Sequence, residues 1–276
     1  MDERAQALAQ VSLVTNHFDD AQVFGEILQD WLRFLGGEPE QVVVVTDPGA
    51  NRETAFVQEY KAGALARNAY ILFFHADTLP YRQGHDDWLP RAIEFLQRPD
   101  VFAISGSFNL WCKQDEAWAD WYWSNKCSLN FALMKRAYFL DAVDEFAGDF
   151  VRSDFRGENP ARATGKDRYV IELAFENYMA QHKLLTLMRH EDPTWTIFHT
   201  NTRGERLKQT RTNFFARKNI EPFLDAGANP KSMLPRDALY YGLPGLGLVK
   251  RARIRFGQTR VGPAWRAWKQ KLDLKF

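Results

Sequence analysis

The stretch NAYILFFHADTLP, residues 68–80, decides the fold. The apolar run from Ala69 to Phe74 leaves no polar face, so a strand built from it must be covered on both sides. It stops abruptly at His75, Asp77, Thr78 and Pro80. In an extended chain residues two apart point the same way, so the sequence predicts that His75 and Asp77 face one point as the strand ends.

Working outward, strand-like and helix-like segments alternate. VSLVTN (11–16) and QVVVVTD (41–47) are β-rich, and VFAISGSFNL (101–110) is a further apolar strand. Between them, DDAQVFGEILQDWLRFLGG (19–37) has an Asp start, helical apolar spacing and a Gly-Gly stop; residues 51–66 and 86–98 also read as helices. Continuous apolar strands separated by helices predict an α/β domain of Rossmann type, with a mostly parallel sheet and helices on both faces. In such sheets ligands sit beyond the carboxyl ends of the strands. That is where Thr15, Asn16, Asp47, His75 and Asp77 collect. Farther on, residues 111–126 and 130–146 read as helices, 148–166 as a loop, Asp167 to about Lys183 as a helix, and LLTLMRH (184–190) and TWTIFHT (194–200) as strands.

The chain has 276 residues, 45% of them hydrophobic, enough for a substantial core without staples. Two cysteines, Cys112 and Cys127, with no CxxC pair suggest neither a disulfide framework nor a structural zinc. The N-terminal MDERAQALAQ has no apolar heart of the kind a secretory signal needs, and no apolar run reaches membrane-spanning length. A cytoplasmic protein is expected, with contact at the inner face of the membrane open. Net charge is +1, yet residues 250–276 hold nine cations against Asp273 alone, which leaves residues 1–249 at −7. An acidic body with a basic tail argues against nucleic acid as a partner.

A carboxylate and an imidazole at a strand's end can hold a divalent cation that bridges nucleotide phosphates, or Asp77 can simply cap the next turn beside a partly buried histidine. The surrounding order of motifs separates the two. Strand, helix, strand ending in Asp47, helix, apolar strand ending in HAD, then RPDVFAISG (98–106), NFALMKRAYF (130–139) and FENYMAQHKLLTLMRHEDPTWTIFH (175–199) resembles the family 2 glycosyltransferases of the GT-A fold over roughly residues 11–220.

That resemblance implies a metal-dependent, inverting transfer of a sugar from a nucleotide-diphosphate donor, UDP-sugar by default, to a glycan or lipid-linked hydroxyl. By position it implies nucleotide contacts from Thr15, Asn16, Asp47, Arg52 and Arg203, and Mn²⁺ or Mg²⁺ held by Asp77 and His75 with His199 as a further ligand. It implies Glu176 as the base that deprotonates the acceptor. Glu172 and Glu176 are four apart on one helical face, with Asp167 near the helix start. Phe175, Tyr178 and Met179 around Glu176 place it ahead of Asp167, and both ahead of Glu172. The chain departs from the family pattern where His75 stands for an acid, where TDPGAN (46–51) keeps one acid, and where Asn177 follows Glu176.

Trp111, Trp118, Trp121, Tyr122 and Trp123 are mostly core by spacing, with Trp111 left to stack on an acceptor sugar. In the tail Trp265, Trp268, Leu272 and Phe276 form one helical stripe among cations, suited either to an anionic membrane surface or to packing on the body. The expected organisation is a catalytic domain over 1–225, with a donor half (11–110) and an acceptor half (111–225), and a basic helical extension over 226–276. Two other readings stand beside it: a nucleotidyltransferase, disfavoured because no glycine-rich lysine-bearing loop follows the first strand, and a catalytically silent glycan-binding protein, favoured by His75 and Asn177.

Overall fold

The computed structural model describes residues 2–17, 21–46, 55–83, 88–106, 113–117, 121–157, 171–189 and 194–217, with residues 248, 249 and 252. The elements in chain order are α1 (Glu3–Leu8), β1 (Val11–His17), α2 (Ala21–Leu35), β2 (Gln41–Thr46), α3 (Ala55–Leu65), β3 (Tyr70–His75), β4 (Thr78–Arg82), α4 (Trp88–Leu96) and β5 (Val101–Ser105). They continue with β6 (Lys113–Gln114), β7 (Trp121–Ser124), β8 (Phe131–Lys135), α5 (Arg136–Arg152), α6 (Glu172–His182), β9 (Leu185–Arg189), β10 (Trp195–His199) and α7 (Gly204–Phe215).

Eight strands form one sheet in the order β2-β1-β3-β8-β5-β9-β7-β6. The pairings make β8 and β7 run against the other six, so the sheet is mixed but mostly parallel in direction. Along β3 the side chains alternate between two cores. Tyr70, Leu72 and Phe74 join an aromatic layer with Trp31, Phe34, Trp88 and Trp195. Ile71 and Phe73 join Phe56, Phe102, Phe139 and Phe175 on the other side. This two-sided burial is why the run 69–74 carries no polar residue. The helices of the second layer approach closely: a Cβ at Gly63 in α3 would lie 2.3 Å from Phe139 of α5.

Three expectations need correction. Within 111–126, residues Trp121–Ser124 are a strand, not a helix, with Trp121 and Trp123 buried and Tyr122 half-buried at period two. Within 130–146, Phe131–Lys135 is a strand inserted antiparallel between β3 and β5, and the helix begins only at Arg136. Its FALM run is buried on both faces, a pattern that short strands and buried helices share. That helix runs on to Arg152, so the loop expected from 148 starts later. The sequence reading also missed β4, which contains Pro80; among the described residues it pairs with β10 alone.

The two expected halves share this one sheet, since β8 lies between β3 and β5. Apart from residues 248, 249 and 252, the extension 226–276 lies outside the described residues. Among the described residues no helix is long and apolar enough to cross a membrane.

Candidate active site at the carboxyl end of β3

Period two carries His75 to the same face as Ile71 and Phe73, the face covered by α3. There its Nε2 lies 3.2 Å from Oε1 of Glu59. The contact is an ion pair whose geometry falls short of a directed hydrogen bond. Burial works against the charged ring, but Glu59, and more distantly Asp77 and Glu172, push the His75 pKa up to about 9. Burial pushes the Glu59 carboxyl up as well, with His75 opposing it. The pair therefore keeps a proton at neutral pH. Its neighbour on β1, Asn16, sits beside His75 in register and has an Oδ1 that is buried without a partner.

Asp77 takes a different route. The chain turns after His75 and re-enters as β4, whose pairing with β10 sets Thr78 opposite His199. His199 Nε2 then lies 3.2 Å from Asp77 Oδ2. The main chain of Asp77 is fixed from the same side: its carbonyl accepts from Thr200 N at 2.9 Å and from Thr200 Oγ1 at 3.0 Å. Thr202 closes the arrangement by donating its N–H and hydroxyl to Thr200 Oγ1. On the other side Trp31 donates its indole N–H to the Thr78 carbonyl. Burial raises the proton affinity of Asp77, yet His199, with His75 beyond it, holds the carboxyl below its usual range. Asp77 and His199 keep 23% and 20% of their side-chain surfaces exposed, so a ligand can reach both.

Two donors bound side by side on one divalent ion, at about 2.1–2.3 Å each and about a right angle apart, stand roughly 3.0–3.2 Å from one another. The spacing of Asp77 Oδ2 and His199 Nε2 fits that geometry. Among the described residues no group of three His, Cys, Asp or Glu side chains could hold a metal ion. A cation here would have two protein ligands and take the rest from water or phosphate, which suits Mg²⁺ and similar ions. The three expected ligands His75, Asp77 and His199 do not form one such group of three; His75 turns its Nε2 to Glu59 instead.

The other expected site residues are spread more widely. Thr15 is fully buried, its hydroxyl donating to the Asn16 carbonyl. Arg203 is exposed at the N-cap of α7. Glu176 is ion-paired with Lys126 and lines a cavity with Lys183, Leu184 and Leu185, at the amino end of β9. Because β9 runs the same way as β3, that cavity lies toward the opposite edge of the sheet from Asp77. Glu172 accepts from Ser128 Oγ and Leu129 N, both at 2.9 Å, and its charge is felt by His75 and Glu59. Asp47, Arg52, Trp111 and Asp167 lie outside the described residues. Sequence reasoning missed Glu59. Its signal was a lone acid among Phe56, Ala62 and Gly63 on the buried stripe of α3.

These features define a three-layer α/β protein with an Asp–His pair exposed at the carboxyl lip of its sheet. No protein-family model matches the chain, and no curated protein matches it. Among solved structures, it is similar to a Drosophila β-1,4-galactosyltransferase 7 in complex with manganese, UDP-Gal and xylobiose: 13% identity, 71% of this chain, 72% of that one, TM-score 0.42. It is also similar to a mannosyltransferase from Pyrobaculum calidifontis in complex with GDP-Man and Mn²⁺ (14% identity, 96% and 80% of the two chains, TM-score 0.36). A UDP-glucose pyrophosphorylase complexed with UDP-glucose is comparably distant (10% identity, 78% and 85%, TM-score 0.41). Likenesses this remote do not say which chemistry the chain performs.

Proposed function

We propose that this protein is a glycosyltransferase that takes a sugar from a nucleoside-diphosphate sugar, UDP-linked by default, and delivers it to a glycan or lipid-linked hydroxyl. The reading rests on one observation: Asp77 and His199, brought together by β4 and β10, form a reachable two-donor grip beyond the carboxyl end of β3. The ordered motif series over residues 11–220, which resembles family 2 glycosyltransferases, gives that grip its assignment.

Asp77 and His199 would hold Mn²⁺ or Mg²⁺, which supplies charge neutralisation to a diphosphate as it departs. His75, paired with Glu59, stands at the same strand end. Thr15, Asn16, Asp47, Arg52 and Arg203 are the proposed nucleotide contacts, and Trp111 a stacking surface for the acceptor sugar. Of the proposed bases, Glu176 is paired with Lys126 beside the cavity at the amino end of β9, away from Asp77, so it would have to leave both that partner and that place to take the acceptor's proton; Asp167 is the other proposed base. Inversion at the anomeric carbon follows from direct attack by the acceptor hydroxyl, with no covalent enzyme intermediate. The organisation proposed is a catalytic body over 1–225 with a basic extension over 226–276, suited either to an anionic membrane surface or to packing on the body.

The Glu176–Lys126 pair favours a second reading, a nucleotide-sugar-binding protein without turnover. A mass-spectrometric screen of nucleotide sugars, with acceptors and repeated for Asp77→Ala and Glu176→Gln, separates the two. Release of nucleoside diphosphate that disappears with Asp77 supports the transferase; metal-dependent binding with no turnover of any donor supports the second reading.

A further inference from the structure

A second concentration of charge lies at the opposite edge of the sheet, where the chain passes from α3 into β3 and from β8 into α5. Arg67, Lys135 and Arg136 line one concavity of about 380 Å³ together with Asn68, Ala69, Tyr70 and Ala137. No acid lines it, and no carboxylate among the described residues pairs with any of the three cations. Three like charges around one hollow repel one another, a cost that a bound anion would reverse.

The floor of this hollow is held more firmly than a plain connection requires. Arg67 N donates to Gln41 Oε1 at 2.8 Å, Asn68 N to Ser12 Oγ at 3.3 Å, and Asn68 Nδ2 to the Val11 carbonyl at 3.0 Å. Arg136 donates its main-chain N–H to the Ala69 carbonyl at 2.8 Å and its Nε to the Ala66 carbonyl at 2.6 Å. Anchoring Nε fixes the plane of the guanidinium and leaves both terminal nitrogens free for a planar two-point contact. Lys135 rests 5.1 Å over the Tyr138 ring, which restrains its stem while its ammonium keeps hydrogen-bond capacity. A rigid turn carrying a forked cation, a second guanidinium and an ammonium is suited to a group with several acceptor oxygens.

We propose that Arg67, Lys135 and Arg136 form a binding site for a phosphate-bearing ligand at the amino edge of the sheet, separate from the Asp77 lip and independent of the reading given above. The phosphate can belong to a soluble ligand or to a lipid headgroup.

The test uses the ¹⁵N-labelled full chain without divalent cations, titrated with pyrophosphate and followed at the amides of Asn68, Ala69 and Ala137. Saturable shifts are expected, weakened by about tenfold or more in the Arg67→Gln/Lys135→Gln double variant and unchanged in Asp77→Ala. Arg136 is left intact because its Nε supports the Ala66 carbonyl. In parallel, flotation with phosphatidylcholine vesicles, with and without phosphatidylglycerol, reads the headgroup source. Capture that needs phosphatidylglycerol and fails in the double variant, without pyrophosphate shifts, assigns the site to lipid. Absence of both signals, or signals the double variant leaves unchanged, overturns the proposal.

Discussion

Asp77 Oδ2 and His199 Nε2 lie 3.2 Å apart although 122 residues separate them in the chain. The short β4–β10 ladder makes that contact, and Thr200 fixes it by gripping the Asp77 carbonyl twice. Replacing Thr200 by valine keeps its shape but leaves the Thr202 N–H and hydroxyl without their acceptor. Stability should fall by about 1–3 kcal/mol in urea unfolding, and Thr200→Ser should recover most of it. A valine variant as stable as the parent would show that these hydrogen bonds do not hold the turn.

The His75–Glu59 pair predicts a pH dependence. In the native state His75 keeps its proton up to about pH 9, against an ordinary value of 6.5. Between those values the folded chain binds more protons than the unfolded one, so the contribution is full below 6.5 and is lost as pH rises toward 9. Its size is at most about 3 kcal/mol. Urea midpoints measured from pH 6 to 8.5 should decline, and Glu59→Gln should flatten the decline. A slope that persists unchanged in Glu59→Gln would assign it to other groups.

Gly63 meets Phe139 with no room for a methyl group, since a Cβ there would come within 2.3 Å of the ring. Gly63→Ala improves helix propensity by about 1 kcal/mol, yet it should destabilise the protein by about 1–3 kcal/mol net through forced repacking of α3 against α5. Pairing it with Phe139→Leu should relieve part of the loss, which thermal unfolding of the two variants would read. An alanine variant with a higher melting temperature than the parent would contradict the packing described.

Asp30 is wholly buried and receives Arg211 at 2.5 and 2.9 Å, which ties α2 to α7, the helix that follows His199. Asp30→Ala leaves Arg211 with only the exposed Glu26 and the Phe215 ring, and should cost about 3–5 kcal/mol. Arg211→Met should cost less than Asp30→Ala if Arg33 still pairs with the buried carboxylate. Equal losses in the two would show that Arg33 contributes nothing.

Much of the sheet was legible because both its faces are covered. β1, β2, β3, β5, β9 and β10 all form where apolar runs were read. The stretch from 111 to 135 was not, because Trp118, Trp121 and Tyr122 also fit helical spacing, and only the ladder with β9 reveals the alternation of Trp121 and Trp123. β8 carries Leu133 and Met134, good helix formers, and its neighbours β3 and β5 override that preference. The sequence flagged His75, Asp77 and His199 as one group. It could not show that His75 turns to Glu59 while Asp77 turns to His199, since those pairings depend on α3 and on the non-local β4–β10 contact.

The proposed grip of Asp77 and His199 on a divalent cation beneath a nucleoside diphosphate has a direct test. Isothermal titration with UDP, with and without Mn²⁺, tests it in the parent chain and in Asp77→Ala and His199→Ala. UDP should bind only with Mn²⁺, and each substitution should weaken binding by about tenfold or more while leaving the melting temperature within a few degrees. UDP binding that ignores Mn²⁺, or that survives both substitutions at full strength, would contradict the account.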